Sequence, residues 1–212
     1  MLLQLMVVLS ADPEAQAVSC LDGRDPTACR NGGLAFAYGE GVEPDNGRAV
    51  SLFSTGCELG DAQACFLARL QLVTSETEAI SAPKLDLQPN EGGIAALKSR
   101  CTEGKALACY HLGVFHDRGP MSYRDMSQAT MLFRQACDDG VHEACLEQAR
   151  DYASTGTDMG IQKATALLEA SCEADHAPSC HELGALLVEK DPERAAQVKA
   201  RACDLGDYRS CK

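Results

Sequence analysis

Small and apolar residues recur along the chain in two helical registers, each tied to a cysteine. In the first register, a small residue stands eight positions before a cysteine, and mostly apolar residues stand four and five positions before it. Offsets of this kind place side chains on one face of an α-helix. We call the predicted element helix B. Its small residues are Ala49, Gly93, Ala129, Ala164 and Ala195.

The second register follows another cysteine and predicts a second amphipathic element, helix A. Apolar or aromatic residues occur mostly seven positions after this cysteine, and small residues mostly four positions after it, where they let a neighbouring helix approach closely. The residues four positions after are Gly33, Arg69, Gly113, Ala149 and Gly184.

Capping residues divide the two registers into separate helices. Asp25 with Pro26, and Asp61, stand where helix A begins, and Asp45 stands where helix B begins after a glycine-rich turn at residues 39–42. One A–B pair cannot bury both of its apolar faces, whereas stacked pairs can. The pattern therefore predicts an all-α fold, an α/α solenoid.

Twelve cysteines change this picture from an ordinary helical repeat to a cross-linked one. They form six close pairs, of which five read Cys-x7-Cys and the first has one more residue between the cysteines. Zinc sites and thioredoxin-type redox sites use Cys-x-x-Cys, which does not occur. The even set indicates a disulfide framework and so an oxidising compartment, which predicts a secreted or periplasmic protein.

The N-terminal segment admits three interpretations. Residues 2–9 are apolar except for Gln4, and Ala15-Gln16-Ala17 fits signal peptidase. Residues 1–17 are therefore predicted to be a signal peptide or its remnant, with cleavage before Val18. Alternatively, Asp12 and Pro13 open a short capping helix over residues 12–20. Lipid attachment at Cys20 is the third interpretation, and it would leave Cys29 unpaired.

The segment from Ala28 to Asp61 resembles a Sel1 repeat almost throughout, beginning ACRNGGLAFAYGEGVEPDNGRAV. The doubled cysteines resemble those of the Helicobacter cysteine-rich protein family, over residues from about 20 to the end. This resemblance implies a TPR-like right-handed superhelix of about five repeats with partial caps at both ends. The predicted repeats are residues 27–61, 62–105, 106–140, 141–175 and 176–207.

The same resemblance implies local disulfide pairing, one bridge at each joint between repeats. A bridge between Cys29 and Cys57, at the two ends of one A–B pair, is the competing arrangement. The implied bridges are Cys20–Cys29, Cys57–Cys65, Cys101–Cys109, Cys137–Cys145, Cys172–Cys180 and Cys203–Cys211. Residues 74–90 depart from the pattern and are predicted to be a loop insertion between the two helices of the second repeat.

Catalytic signals are weak. The resemblance implies β-lactam binding or weak β-lactamase activity, and Ser81-Ala82-Pro83-Lys84 matches the first motif of serine β-lactamases. That match lies in the loop insertion, and the partner motifs Ser-Asp-Asn and Lys-Thr-Gly do not occur. The five histidines have no metal-ligand spacing, so neither a metal nor a cofactor is expected. His116 occupies an apolar position of helix A and is expected to be partly buried.

Binding is therefore the expected function. The net charge of −12 disfavours nucleic acid and anionic membranes, and no membrane-spanning segment is predicted. We predict a monomeric scaffold that binds a protein or peptide on a concave face lined by helix A. The alternatives are a β-lactam-binding cell-wall protein and an assembly factor in an oxidising compartment. The exposed candidates on that face are Arg30, Arg69, Tyr110, His111 and Arg150.

Overall fold

The computed structural model describes residues 12–74 and 91–211, and these residues form eleven α-helices and no strand. The all-α prediction is confirmed. The loop insertion predicted at residues 74–90 lies outside the described residues except for its first residue, which ends α4. The helices are α1 (Pro13–Leu21), α2 (Pro26–Tyr38), α3 (Asn46–Glu58), α4 (Ala62–Thr74), α5 (Glu91–Thr102), α6 (Ala106–Arg118), α7 (Met126–Asp138), α8 (His142–Ser154), α9 (Asp158–Glu173), α10 (Ala177–Leu187) and α11 (Pro192–Asp204).

The first of two compact units contains α1 to α5 and the 3₁₀ turn Met121–Tyr123. In it, α2 packs against α1 and α3, and α3 packs against α4. The amide of Asp45, where α3 begins, donates to the carbonyl of Phe36 near the end of α2 at 2.9 Å. At the other end of the pair, Gly56 of α3 lies against Cys29 of α2. The two helices are therefore antiparallel.

The second unit contains α6 to α11 and the 3₁₀ turn Tyr208–Ser210. Here α8 packs against α7 and α9, and α10 packs against α9 and α11. Much of the core consists of small side chains, in keeping with an aromatic content of 5% in the sequence. One cluster of buried residues joins α8 to α11, and it comprises Leu146, Ala149, Ala164, Leu168, Cys172, Cys180, Leu183, Leu187, Ala195 and Ala202.

Aspartate caps start the helices where the sequence placed them. The carboxylate of Asp25 accepts from the amides of Thr27 and Ala28, at 2.9 and 3.2 Å. Asp61 caps α4 in the same way. Three helices of the B register, α3, α7 and α11, begin with single caps from Asp45, Asp125 and Asp191 to the amide three residues on, and Thr157 caps α9 in the same way. Each cap satisfies amides that the helix itself cannot pair.

In the first and third repeats, the glycine predicted in helix A is the seat of a large ring from helix B. A Cβ added to Gly33 would stand 2.5 Å from the nearest ring carbon of Phe53, and one added to Gly113 would stand 2.7 Å from the nearest ring carbon of Phe133. In the second repeat the ring comes from helix A instead, and it meets a glycine at another position of helix B. Gly93 of α5 receives the ring of Phe66 from α4, at 2.5 Å from its would-be Cβ.

Local disulfides close the joints between repeats. Five pairs have Sγ–Sγ distances between 2.00 and 2.10 Å and Cα–Cα distances between 4.4 and 4.9 Å. Cys101 and Cys109 are also disulfide-bonded, and none of the cysteines in the described residues is free. Since Cys29 is bonded to Cys20, the competing bridge to Cys57 is not formed. The bridges are Cys20–Cys29, Cys57–Cys65, Cys137–Cys145, Cys172–Cys180 and Cys203–Cys211.

Residues 13–21 are folded as α1, which corresponds to the capping helix considered as an alternative to a signal peptide. Asp12 caps this helix at the amide of Glu14, and Pro13, Ala17 and Cys20 are buried. Cleavage before Val18 would divide α1, and it stays a prediction. None of the helices in the described residues has the length and apolar character required to cross a membrane.

Candidate functional site

Two of the five residues predicted to face a ligand are buried, so their assignment to an exposed face is wrong. Tyr110 is 4% exposed and His111 is 1% exposed. The reason is that residues 108–115 of α6 are all buried, a stretch of more than two helical turns that leaves no open face. The Tyr110 ring lies 6.0 Å from the ring of Phe133, centroid to centroid.

Burial also keeps His111 uncharged at neutral pH. Desolvation lowers the pKa of His111 to about 3, so its imidazole is neutral under ordinary conditions. His116, on the same helix, is half-buried, in agreement with the expectation of a partly buried residue.

Arg30 does not provide an open cationic surface either. Arg30 of α2 forms an ion pair with Asp61, the residue that caps α4, and so links two successive A helices. Its side chain is mostly covered. The side chain of Arg69 lies outside the described part of the structure.

Among the four candidates whose side chains the structure describes, only Arg150 is exposed, and two carboxylates hold it in position. Its Nη2 donates to Oε1 of Glu182 on α10 at 2.6 Å, and its Nη1 donates to Oε1 of Glu147 at 3.3 Å. The guanidinium, 40% exposed, therefore bridges the A helices of two successive repeats. Two carboxylates around one guanidinium leave this surface with a net negative charge.

Next to this ion pair lies an open groove between α8 and α10, which we call the α8–α10 groove. Its volume is about 240 Å³, below the roughly 300–1,000 Å³ of pockets that enclose small molecules. The lining residues other than Arg150 and Glu182 are all apolar, and three of the five are alanines, which leaves the groove open. They are Ala149, Ala153, Leu168, Ala185 and Leu186. The groove suits an apolar side chain of a larger partner better than a free small molecule.

Neither Glu147 nor Glu182 was among the residues predicted from the sequence. Glu147 stands three residues before Arg150 on one helix, a spacing at which opposite charges meet. Glu182 stands two residues after its cysteine, as Glu147 does in the preceding repeat, so alignment of the repeats could have placed both on one surface.

The residues weighed for catalysis are not assembled into a site within the described part of the chain. The serine-lysine motif at residues 81–84 lies outside the described residues. His142 and His176 lie 6.0 Å apart, centroid to centroid, and the Nδ1 of His176 is hydrogen-bonded to Ser179 at 2.8 Å. Burial lowers the pKa of His176, which favours its neutral form. Across the described ranges, no group of three metal-ligating side chains comes together.

Paired helices with capped starts, small-residue seats and bridged joints define an α/α repeat protein. The chain belongs to the Sel1 repeat family. A family model for the Sel1 repeat matches residues 26–61, 106–141 and 170–207, which together make up more than half of the chain. Sel1 repeats are protein-interaction modules, and the comparisons do not single out the Helicobacter family.

Solved structures share the fold at low sequence identity. A protective antigen present in uropathogenic Escherichia coli strains, which displays an SLR fold, is 18% identical with a TM-score of 0.56. The match covers 90% of this chain but only 41% of that one, so this chain spans about two fifths of its length. A Sel1 repeat protein from Oxalobacter formigenes is 20% identical with a TM-score of 0.50, over 92% of this chain and 80% of the other. No curated protein matches the sequence significantly.

Proposed function

We propose that this protein is a disulfide-stabilised scaffold that binds a protein or peptide segment in the α8–α10 groove. The observation that carries the proposal is the combination of an open apolar floor with a fixed charged rim on two successive A helices. An apolar floor supplies binding energy through buried area, and a charged rim fixes orientation. The family's role in protein interactions supports this reading.

The charges at the groove favour one kind of segment. Glu147 and Glu182 outnumber Arg150, and the protein as a whole has a net charge of −12. A partner with a basic residue beside an apolar one would place the apolar side chain on the alanines and the cation beside Glu182, the carboxylate that lines the groove. We therefore expect recognition of a basic, amphipathic segment.

Selection from a random peptide library on the oxidised, full-length protein tests the proposal. Enriched peptides should carry an apolar residue next to Lys or Arg. Ala185→Arg fills the groove with a long cationic side chain. It should weaken the binding of the selected peptides about tenfold or more, corresponding to about 1.4 kcal/mol. Ala166→Arg is the matched control, because Ala166 is an exposed helix residue outside the groove lining.

Two results would contradict the proposal: failure of any peptide class to enrich, or equal weakening by the two alanine variants. Circular dichroism of both variants shows whether the fold is retained, so that a loss of binding can be assigned to the groove.

We also propose that the protein works in a secreted or periplasmic setting. Disulfides at successive joints support an oxidising compartment, because reducing compartments keep thiols free. Alkylation of native cells with a maleimide reagent, followed by mass spectrometry, should find the cysteines protected until a reductant is added. The same spectra give the mature N-terminus and so test cleavage before Val18. Rapid alkylation without reductant would place the protein in a reducing compartment.

A further inference from the structure

The first unit holds a polar pocket unlike the α8–α10 groove. It lies among α1, α2, the turn after α2, and the segment that ends α5, and its volume is about 460 Å³. Gly39, Gly41 and Ala35 leave it open by contributing little or no side chain. Its polar lining residues are Gln16, Asn31, Glu40, Arg100 and Lys105.

Arg100 is held in place within this pocket. Its Nε donates to Oε1 of Glu40 at 2.6 Å, and its Nη2 donates to Oε2 at 3.3 Å. The guanidinium also stands 5.9 Å from the centroid of the Tyr38 ring. The fork to Glu40 uses two of the five N–H groups of an arginine, so donors remain for a ligand.

Three other polar side chains of the pocket have no partner among the described residues. They belong to Gln16, Asn31 and Lys105, none of which makes a side-chain hydrogen bond or ion pair there. Each carboxamide offers two donors and one acceptor, and the ammonium offers three donors and a charge. Gln16 has its Cβ seated against Gly32, which ties it to α2.

The pocket has a net positive charge, whereas the protein as a whole has a net negative charge. Glu40 offsets Arg100, so Lys105 leaves the pocket with one net positive charge on a chain of net charge −12. One positive charge matches a monoanion better than a phosphate dianion. The two carboxamides match the N–H and C=O of a peptide unit next to that anion.

From this arrangement we propose that the pocket binds a carboxylate of a peptide segment, either the terminal carboxylate or that of an acidic side chain. Lys105 and the free N–H groups of Arg100 bind the carboxylate, and Gln16 and Asn31 bind the adjoining peptide unit. The proposal deepens the peptide-binding function proposed above, but it concerns a different surface and a different ligand group.

Titration of the ¹⁵N-labelled full-length protein with N-acetylglycine tests this site, because the probe carries one carboxylate beside one peptide unit. The probe should shift the backbone amide signals of Asn31, Gly39 and Lys105 with a dissociation constant of about a millimolar, as expected for so few atoms. N-acetylglycinamide, which lacks the charge, should bind at least about fivefold more weakly. Added salt should weaken the binding of N-acetylglycine.

Lys105→Gln removes the unpaired charge and should raise the dissociation constant about fivefold or more. Lys98→Gln is the matched control, because Lys98 is exposed on α5 and does not line the pocket. Acetyl-aspartyl amide, compared with N-acetylglycine, identifies which carboxylate source binds better.

Three outcomes would overturn the carboxylate site: no shifts at the pocket, equal binding of the charged and uncharged probes, or equal effects of the two lysine variants. Inorganic phosphate binding while N-acetylglycine does not would also overturn it. Ala185→Arg should leave the titration unchanged. The carboxylate site in the pocket and peptide binding in the α8–α10 groove are therefore tested independently.

Discussion

The ring of Phe53 lies on the bare α-carbon of Gly33. A Cβ at position 33 would stand 2.5 Å from one ring carbon and 2.6 Å from the next, distances at which something must shift. Both residues are in buried helix interiors, so neither the ring nor the backbone has open space to move into. The contact sets how closely α2 and α3 approach.

Gly33→Ala should therefore destabilise the protein, although alanine is the better helix former. We expect a loss of about 1–3 kcal/mol of unfolding free energy from overpacking, measured by urea denaturation. Gly47→Ala is the control, because the Cβ at this exposed site of α3 meets only Asp45 Oδ1 at 3.4 Å. It should be neutral or gain up to about 1 kcal/mol. Equal effects of the two variants would show that the ring contact does not constrain the helices.

Removal of a central disulfide should loosen one joint. Cys137→Ala with Cys145→Ala opens a short ring, and its loss should cost about 2–3 kcal/mol by the chain-entropy argument. Because repeats contact mainly their neighbours, unfolding should split into two transitions in calorimetry. The same change at Cys203 and Cys211, which holds only the final 3₁₀ turn to α11, should leave a single transition. A single transition at the parent temperature in the central double variant would contradict this account of the joints.

Ser171 carries the one side-chain hydroxyl in the described residues that is fully buried without a hydrogen-bond partner. It stands directly before a first cysteine, where three other repeats have Gly56, Ala136 and Ala202 and the second repeat has Arg100. Ser171→Ala should raise the unfolding free energy by about 1 kcal/mol, since it relieves an unsatisfied polar group. Ser51→Ala, at an exposed helix site, should show only the smaller gain from helix propensity. Chemical denaturation distinguishes the two, and a loss of stability in Ser171→Ala would reveal a partner for the hydroxyl.

His111 should make stability fall in acid. Burial lowers its folded-state pKa to about 3, below the ordinary value of 6.5, so between these values the unfolded chain binds the proton and the folded one does not. Stability is therefore lost as the pH falls from about 6.5 towards 3, by at most about 1.4 kcal/mol per pH unit for one group.

The variant His111→Gln should flatten this dependence in urea denaturation series across that pH range. His116→Gln is the control on the same helix, because it leaves His111 in place and so should keep the contribution of His111 to the slope. Parallel curves for His111→Gln and the parent would mean that the pKa of His111 is the same in the folded and unfolded states.

Local sequence signals predicted the helices and their starts well. Asp25, Asp45 and Asp61 could be predicted as caps because each places a short hydrogen-bond acceptor directly before an apolar helical register. Gly33 could be predicted as a point of close helix approach because the residues next to it in the register are larger. The disulfide pairing needed the resemblance as well, since spacing alone left Cys29 with two possible partners.

Burial beyond one helical face could not be predicted in this way. Periodicity places Tyr110 and His111 on a face, but it does not reveal how many elements cover that face, and here both residues are buried. The partner of Arg150 on α10 is 32 residues distant, so it follows from the stacking of repeats rather than from any local pattern. Nothing in the sequence distinguishes pocket residues such as Gln16 and Lys105 from other polar surface residues, and only the fold brings them together.

In the second repeat helix A supplies the large ring, and this limits which helices could be exchanged between repeats of this chain. Ala49 of α3 and Gly93 of α5 occupy the same position, eight residues before a cysteine. If α3 replaced α5, the Cβ of Ala49 would collide with the ring of Phe66, which tolerates only Gly93. If α5 replaced α3, Leu97 would leave unfilled the space that Phe53 occupies over Gly33. The unit of exchange in this protein is therefore the matched helix pair, and single helices cannot be shuffled between its first two repeats.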